Sequence, residues 1–74
     1  MINANELKIG DKIRNEWDPK AIYKVVEFDS SYGTDYNQHG VRIVRFIKSR
    51  DSWATTPQAQ FCKEDGELSR WHYA

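Results

Sequence analysis

Apolar and polar positions alternate over short distances along this chain, and the alternation changes phase at turn residues. In residues 7–28 (LKIGDKIRNEWDPKAIYKVVEF), one alternating stretch ends at Gly10-Asp11, a second starts at Ile13, and a break follows at Asp18-Pro19. The run after the break is rich in β-branched and aromatic residues, as is typical of strands. The pattern predicts the first two strands of a small sheet, and no helix of ordinary length fits it.

Composition and phase define the second of these strands more closely and predict a third. Residues 21–28 (AIYKVVEF) give the clearest strand, but Lys24 falls in phase with apolar neighbours, so we predict a β-bulge near Lys24-Val25. Residues 40–49 (GVRIVRFIKS) carry four β-branched residues in seven positions, which favours a third strand over a helix.

The two ends of the chain predict less regular structure. Residues 1–6 indicate one short helical turn capped by Asn3 or Asn5, and Leu7 and Ile9 are expected to point the same way. Residues 15–20, 29–39 and 50–58 are predicted loops, the last of them containing Trp53. The final residues (AQFCKEDGELSRWHYA) predict a hairpin that turns at residues 64–66.

Together these elements predict an all-β fold with about five short strands and one short helical turn. The motif LKIGDKI resembles the x-V-G-D-x-V first strand of SH3-like domains of the KOW and Tudor kind, and the resemblance covers roughly the first 28 residues. It implies a small SH3-like barrel, in which a bent sheet closes on itself and removes its edges. We expect residues 1–74 to form one such domain.

Composition limits the partners and the cellular compartment that we expect. The 11 Lys and Arg balance the 11 Asp and Glu, so net charge argues for neither nucleic acid nor an anionic membrane, and a nucleic-acid reading needs a local basic patch. Cys62 is the only cysteine, which excludes an intrachain disulfide and favours a reducing compartment. No apolar stretch approaches the ~18 residues of a membrane span, and no signal peptide is visible. We therefore expect a cytoplasmic protein with no membrane partner.

Candidate groups for chemistry are few and far apart. Cys62 sits in a predicted strand between Phe61 and Lys63, where an inert thiol is the usual outcome, and His39 and His72 are expected on the surface. Their spacing matches no metal site, and no phosphate-binding glycine motif is present. We expect no catalytic residue, metal, cofactor or small-molecule substrate, and hence no enzyme.

The aromatic residues suggest a binding function. Tryptophan and tyrosine are enriched at interface hot spots, and several lie in or beside predicted loops. In SH3-like barrels the loops after the first two strands flank the usual ligand groove, and Trp17, Tyr32 and Tyr36 fall in those loops. Trp71 and Trp17 could instead cap the barrel ends as core. We predict a protein-binding site formed by Trp17, Tyr32, Tyr36 and Trp53.

The function predicted from these residues is a small non-enzymatic binding module that acts on another protein as an accessory subunit or inhibitor. Stand-alone domains of this size are common in bacteria and their phages. We therefore include a phage-encoded modulator of a host enzyme among the expected functions. The alternative is a nucleic-acid-binding barrel that uses Arg42, Arg45, Lys48 and Arg50 beside Tyr32 and Tyr36.

The basic residues of this alternative have a structural explanation too. On a regular strand Arg42, Lys48 and Arg50 share a face, and Arg45 would point inward unless a bulge intervenes. The same side chains could form a solvated strand face that pairs with Glu27 or Glu67 across the sheet.

Overall fold

The alternating pattern folds into short antiparallel strands in the computed structural model, which describes residues 1–30 and 39–74. Within those ranges the eight strands are β1 Ile2–Asn3, β2 Lys12–Asn15, β3 Tyr23–Asp29, β4 Gly40–Ile47, β5 Ser52–Trp53, β6 Gln58–Cys62, β7 Glu67–Leu68 and β8 Trp71–Tyr73. The helical segments of these ranges are single 3₁₀ turns at Ala4–Glu6, Lys48–Arg50 and Lys63–Asp65. The predicted all-β class is confirmed.

Over the described residues, the main sheet has six strands, and every neighbouring pair in it is antiparallel. Strands β8, β2, β3 and β4 follow one another in that order. On the side away from β3, the first half of β4 pairs with β6 and its last two residues pair with β5. Strands β1 and β7 form a separate two-stranded ribbon. Strands β2, β3 and β4, which follow one another along the chain, are thus neighbours in the sheet. The last strand, β8, lies beside β2.

A register shift interrupts the pairing of β3 with β4 between Val25 and Glu27. The bulge predicted near Lys24-Val25 therefore exists, one residue further along the strand. It lets Val25 point into the protein opposite Ile43 while Glu27 lies opposite Arg42. A bulge increases the local bend, which is what a short sheet needs to wrap around its core.

The core draws on the central strands of this sheet and on both ends of the chain. Ile13, Val25 and Val41, from the three central strands, are fully buried. The β1–β7 ribbon and the first 3₁₀ turn cover one end, and the Ala4 amide donates to the Gly66 carbonyl oxygen at 2.8 Å. The other buried members of this core are Ile2, Ala4, Leu7, Ile43, Phe61 and Trp71.

The first 3₁₀ turn and the turn before β2 follow the sequence prediction closely. The Asn3 side chain caps the 3₁₀ turn by accepting a hydrogen bond from the Asn5 amide at 3.0 Å. Gly10 has φ +98°, a conformation that suits glycine, and the Asp11 amide donates to the Lys8 carbonyl oxygen at 3.1 Å.

Three local expectations differ from the structure. Leu7 is buried but Ile9 is 64% exposed, because the Lys8–Asp11 turn reverses the chain between them and removes the strand alternation. Trp53 lies in β5 and pairs with Phe46, where the sequence predicts a loop. The C-terminal segments form no hairpin with one another: β6, β7 and β8 pair with β4, β1 and β2.

The relation to KOW and Tudor domains stays a prediction. The strand order, in which the last strand β8 lies beside β2, is compatible with a small barrel in which β6 and β8 meet through side chains. Phe61 of β6 and Trp71 of β8 make such a contact, with ring centroids 5.2 Å apart.

Candidate functional site

The loop between β2 and β3 presents Trp17 to solvent from a fixed turn. The side chain of Asn15, itself buried, accepts a hydrogen bond from the Asp18 amide at 2.8 Å. The Ala21 amide donates to the Asp18 carbonyl oxygen at 3.0 Å and closes the turn. Trp17 remains 70% exposed. The exposed Trp17 ring therefore projects from a turn whose backbone is held by these two hydrogen bonds.

Trp17 is the outermost member of a chain of aromatic rings that leads into the core. Its ring packs edge-on against Trp71, with centroids 6.5 Å apart and an interplanar angle of 70°. Trp71 also packs edge-on against Tyr23 at 5.7 Å and against Phe61 at 5.2 Å. Edge-to-face contacts of this kind stabilise beyond simple burial. The buried rings thus form a rigid base beneath the exposed indole.

A cleft of about 310 Å³ lies beside these rings. Tyr23 belongs to both the ring chain and the cleft wall, and Arg45 donates to the Asp18 carboxylate at 3.2 Å from the opposite strand. We call this depression the mouth cleft; its walls are Tyr23, Ile43, Arg45, Ala54, Thr56, Gln58 and Gln60. It combines one aromatic and one aliphatic wall with amide, hydroxyl and guanidinium groups.

Trp53 is held away from this site. Tyr23 pairs with Arg45, and the next residue of β4, Phe46, pairs with Trp53. Since successive residues of a strand point to opposite faces, Trp53 lies on the other face of the sheet from Tyr23 and Arg45. Its ring packs edge-on against Phe46 at 5.2 Å, and the Lys24 Nζ lies 4.6 Å from its centroid.

The structure therefore separates two members of the predicted protein-binding set, Trp17 and Trp53. The other two, Tyr32 and Tyr36, lie outside the described residues. Tyr23 and Trp71, which the structure places beside Trp17, were not in that set. Their strand positions gave a sequence signal only for burial, since the pairing that aligns them is set by residues far along the chain.

The four predicted cations are also divided. Arg42 donates two hydrogen bonds to the Asp29 carboxylate, at 2.9 and 3.1 Å. Its carboxylate partner is therefore Asp29 of β3, where the sequence analysis named Glu27 and Glu67. Arg45 is exposed and paired with Asp18. Lys48 and Arg50 lie in the second 3₁₀ turn, beyond the end of β4.

Arg45 and Lys48 meet a cation that the sequence analysis did not select. Lys20 lies with them around a second depression of about 400 Å³, which we call the cationic cleft. The hydrogen bond from the Phe46 amide to the Ile22 carbonyl oxygen, at 2.9 Å, aligns the start of β3 with the end of β4. The walls of the cationic cleft are Lys20, Ala21, Arg45, Phe46, Ile47 and Lys48.

The groups capable of proton or metal chemistry occupy separate places. Burial raises the pKa of the Cys62 thiol, and the nearby Asp65 and Glu64 add to the rise. His72 donates to Glu16 at 2.9 Å, and His39 contacts Glu64 through both its ring and its backbone amide. Across residues 1–30 and 39–74, no three His, Cys, Asp or Glu side chains are grouped to hold a metal ion.

The two histidine partners have altered acidity. The hydrogen bond with His72 lowers the pKa of Glu16 below its ordinary value of 4.5, and the positive charges of His72, Arg70 and the N-terminus act in the same direction. The hydrogen bonds from the side chain and backbone of His39 likewise lower the pKa of Glu64. Both carboxyls are therefore held ionised by contacts that join distant parts of the chain.

No protein family, curated protein or solved structure matches this chain. In the part of the chain that the structure describes, no helix has the length and apolar character needed to cross a membrane.

Proposed function

We propose that this chain is a non-enzymatic binding module that holds another protein at the mouth cleft, with Trp17 as the anchor. The observation that carries the proposal is the 70% exposure of Trp17 at the top of an ordered ring chain. A large ring that is held in place and left in water loses little conformational freedom when a partner covers it. Tryptophan is also enriched among hot-spot residues.

The size of the expected contribution follows from area. An aromatic side chain buries roughly 150–250 Å², which at about 25 cal/mol per Å² corresponds to about 4–6 kcal/mol. Because most of Trp17 is still exposed, the larger part of that area is available to a partner. After the costs of association, we expect truncation of the ring to weaken binding by about 2–3 kcal/mol, roughly 30- to 150-fold.

The mouth cleft also resembles an interface, with an apolar centre and a polar rim. Tyr23 and Ile43 form the apolar part, while Gln58, Gln60 and the Arg45 guanidinium offer hydrogen bonds. A partner that places an apolar side chain in the mouth cleft can satisfy its neighbouring backbone groups at this rim. A host enzyme as the bound protein, a cytoplasmic location and a bacterial or phage origin remain predictions from the sequence.

The predicted nucleic-acid site, formed by Arg42, Arg45, Lys48 and Arg50, receives less support as a set. Arg42 and Arg45 each have a carboxylate partner, and Arg42 lies at the opposite end of β4 from Lys48. Of the four side chains, Arg45 and Lys48 line one cleft together.

The test compares capture by the wild-type chain with capture by Trp17→Ala and Tyr73→Ala. Tyr73 is another exposed ring, but it lines a different depression, so its variant is the matched control. Proteins bound from an extract of the source cell are identified by mass spectrometry, and the affinity for the purified partner is then measured by calorimetry.

We expect one partner whose affinity falls 30- to 150-fold with Trp17→Ala and less than threefold with Tyr73→Ala. Binding should also tolerate 0.5 M salt, because apolar burial dominates it. Equal affinity for the wild type and Trp17→Ala would contradict the proposal, as would recovery of nucleic acid alone.

A further inference from the structure

The balanced net charge conceals an uneven distribution. Residues 19–26 and 40–50 together hold six of the 11 Lys and Arg and none of the 11 Asp and Glu. Residues 23–26 form the first part of β3, which pairs with β4, whereas Glu27 and Asp29 belong to the second part of β3. The rest of the chain consequently carries five basic residues against eleven acidic ones. A local excess of this kind attracts anions even when the whole molecule is neutral.

The cationic cleft is the place where this excess becomes concave. Lys20 comes from the segment before β3, Arg45 from β4 and Lys48 from the following 3₁₀ turn, so three parts of the chain converge on it. Among the described residues, Lys20 and Lys48 are in no ion pair, and Asp18 is the partner of Arg45. Two of its three cations therefore remain available to a ligand.

The lining of the cationic cleft is not only charged. Phe46 and Ile47 are half-buried and form its apolar part, and Ala21 is buried beside them. Phe46 is held from behind by the edge-on contact with Trp53. A fixed aromatic ring bordered by cations can stack a nucleobase while the cations bind the attached phosphate. An acidic peptide offers carboxylates but no ring system for the Phe46 side.

We propose that the cationic cleft binds a nucleotide unit, with its phosphate on Lys20 and Lys48 and its base against Phe46. The unit comes either from a free nucleotide or from a single strand of nucleic acid, which share this chemistry. The convex backbone of a duplex keeps its bases stacked inside and does not offer them to a concave site. The proposed ligand is thus unpaired.

This second site is separable from the protein-binding surface. Arg45 lines both clefts, but Lys20 and Lys48 line only the cationic cleft, and Trp17 lies in the ring chain beside the mouth cleft. Substitutions of the two lysines therefore test the nucleotide site while leaving the proposed protein anchor in place.

The charge count sets the expected salt dependence. For a single strand, the slope of log affinity against log salt is about −0.7 per phosphate neutralised. One phosphate bound in the cationic cleft gives a slope of about −0.7, so a tenfold rise in salt lowers the affinity roughly fivefold. Removal of one lysine should make this slope shallower.

The experiment measures fluorescence anisotropy of labelled uridylate oligomers of two, four and eight units, with uridine monophosphate as competitor, from 20 to 200 mM salt. The proteins are the wild type, Lys20→Gln, Lys48→Gln and Lys8→Gln. Lys8 is an exposed lysine that lines another depression. Lys8→Gln removes the same charge as the other two variants and is therefore the matched control. Thermal unfolding by circular dichroism confirms that each variant is folded.

We expect Lys20→Gln and Lys48→Gln each to weaken binding at least fivefold at 20 mM salt, with a smaller salt slope, and Lys8→Gln to change it less than twofold. Affinity that rises with oligomer length identifies a strand as the source. Affinity that is already complete with the monophosphate identifies a free nucleotide. Trp17→Ala should bind as the wild type does, which separates this site from the protein-binding one.

Three results would overturn the proposal. The first is no binding of any oligomer or of the monophosphate at 20 mM salt. The second is an equal loss of affinity in Lys8→Gln, which would reduce the effect to overall charge. The third is tighter binding of a poly-glutamate peptide than of the uridylate oligomers, which would make the cleft a site for acidic protein.

Discussion

Replacement of Trp71 by alanine tests whether the ring chain supports the fold as well as the proposed site. Trp71 is 8% exposed and packs edge-on against Trp17, Tyr23 and Phe61. Removal of a buried large aromatic side chain costs about 3–5 kcal/mol, because apolar contacts are lost and a cavity remains. Typical stability is about 0.05–0.15 kcal/mol per residue, or about 4–11 kcal/mol for a chain of this length. The substitution should therefore remove a large part of the total.

Trp17→Ala is the matched comparison, since it deletes the same side chain from the exposed end of the same ring chain. Its edge contact with Trp71 is worth about 0.5–1.5 kcal/mol, and little further burial is lost. We expect Trp17→Ala to lower the free energy of unfolding by no more than about 1.5 kcal/mol. Trp71→Phe, which keeps a ring in the core, should fall between the two.

The assays are urea unfolding and thermal unfolding, both followed by far-ultraviolet circular dichroism, because the substitutions alter tryptophan fluorescence itself. For a domain of this size each kcal/mol shifts the unfolding midpoint by about 4–8 °C, so Trp71→Ala should melt at least 12 °C below the wild type. If Trp71→Ala does not fold, Trp71→Phe supplies the comparison with Trp17→Ala. A loss in Trp17→Ala as large as that in the Trp71 variants would refute the division into buried base and exposed anchor.

Three further predictions follow from local contacts. Glu16 and Glu64 have a lowered pKa in the folded chain, so the stability that they contribute is complete above about pH 4.5 and is lost as the pH falls through their folded pKa values. The free energy of unfolding, measured from pH 7 to pH 2, should therefore fall in the wild type and fall less in E16Q. Gly10→Ala should cost about 1–3 kcal/mol in urea unfolding, because φ is +98° and no atom crowds the position, so backbone strain alone acts. Asn15→Ala should cost about 1–2 kcal/mol and weaken partner binding while Trp17 is still present, as measured by calorimetry; unchanged binding would show that the turn does not position the ring.

Local signals in the sequence carried the parts of the fold that were predicted well. The Asn3 cap, the turn at Gly10-Asp11 and the strand that starts at Gly40 each depend on a few adjacent residues. A capping side chain, a positive φ at glycine and a β-branched run act over one or two turns of chain. Such signals can be read without knowing what lies opposite.

Pairing between distant segments explains the differences. Trp53 becomes part of a strand because the end of β4 offers it an open edge, and the C-terminal segments leave their predicted hairpin for partners on β4, β1 and β2. None of these strand partners lies within the stretch of sequence that would have to reveal it. Ile9 differs for a local reason, because the turn at Lys8–Asp11 reverses the chain just after Leu7.

The candidate site divides in the same way. Trp17 could be selected from the sequence because it is an aromatic residue in a loop with Asn, Asp and Pro. Its neighbour Tyr23 and the convergence of Lys20 with Lys48 required the register of β3 against β4. The absence of acidic residues from 19–26 and 40–50 was visible in the sequence and was the one signal that could have indicated Lys20.

The sequence by itself determined an all-β chain with short strands, a capped N-terminal turn and more aromatic residues than a small core needs. It did so because side-chain phase, β-branching and turn chemistry act locally. Only the tertiary structure decided that Trp17 packs against Trp71 while Trp53 lies on the opposite face of the sheet from Tyr23, and that three cations from separate segments meet in one cleft. The physical reason is strand register: a shift of one residue exchanges the two faces, and register is set by partners far away in the chain.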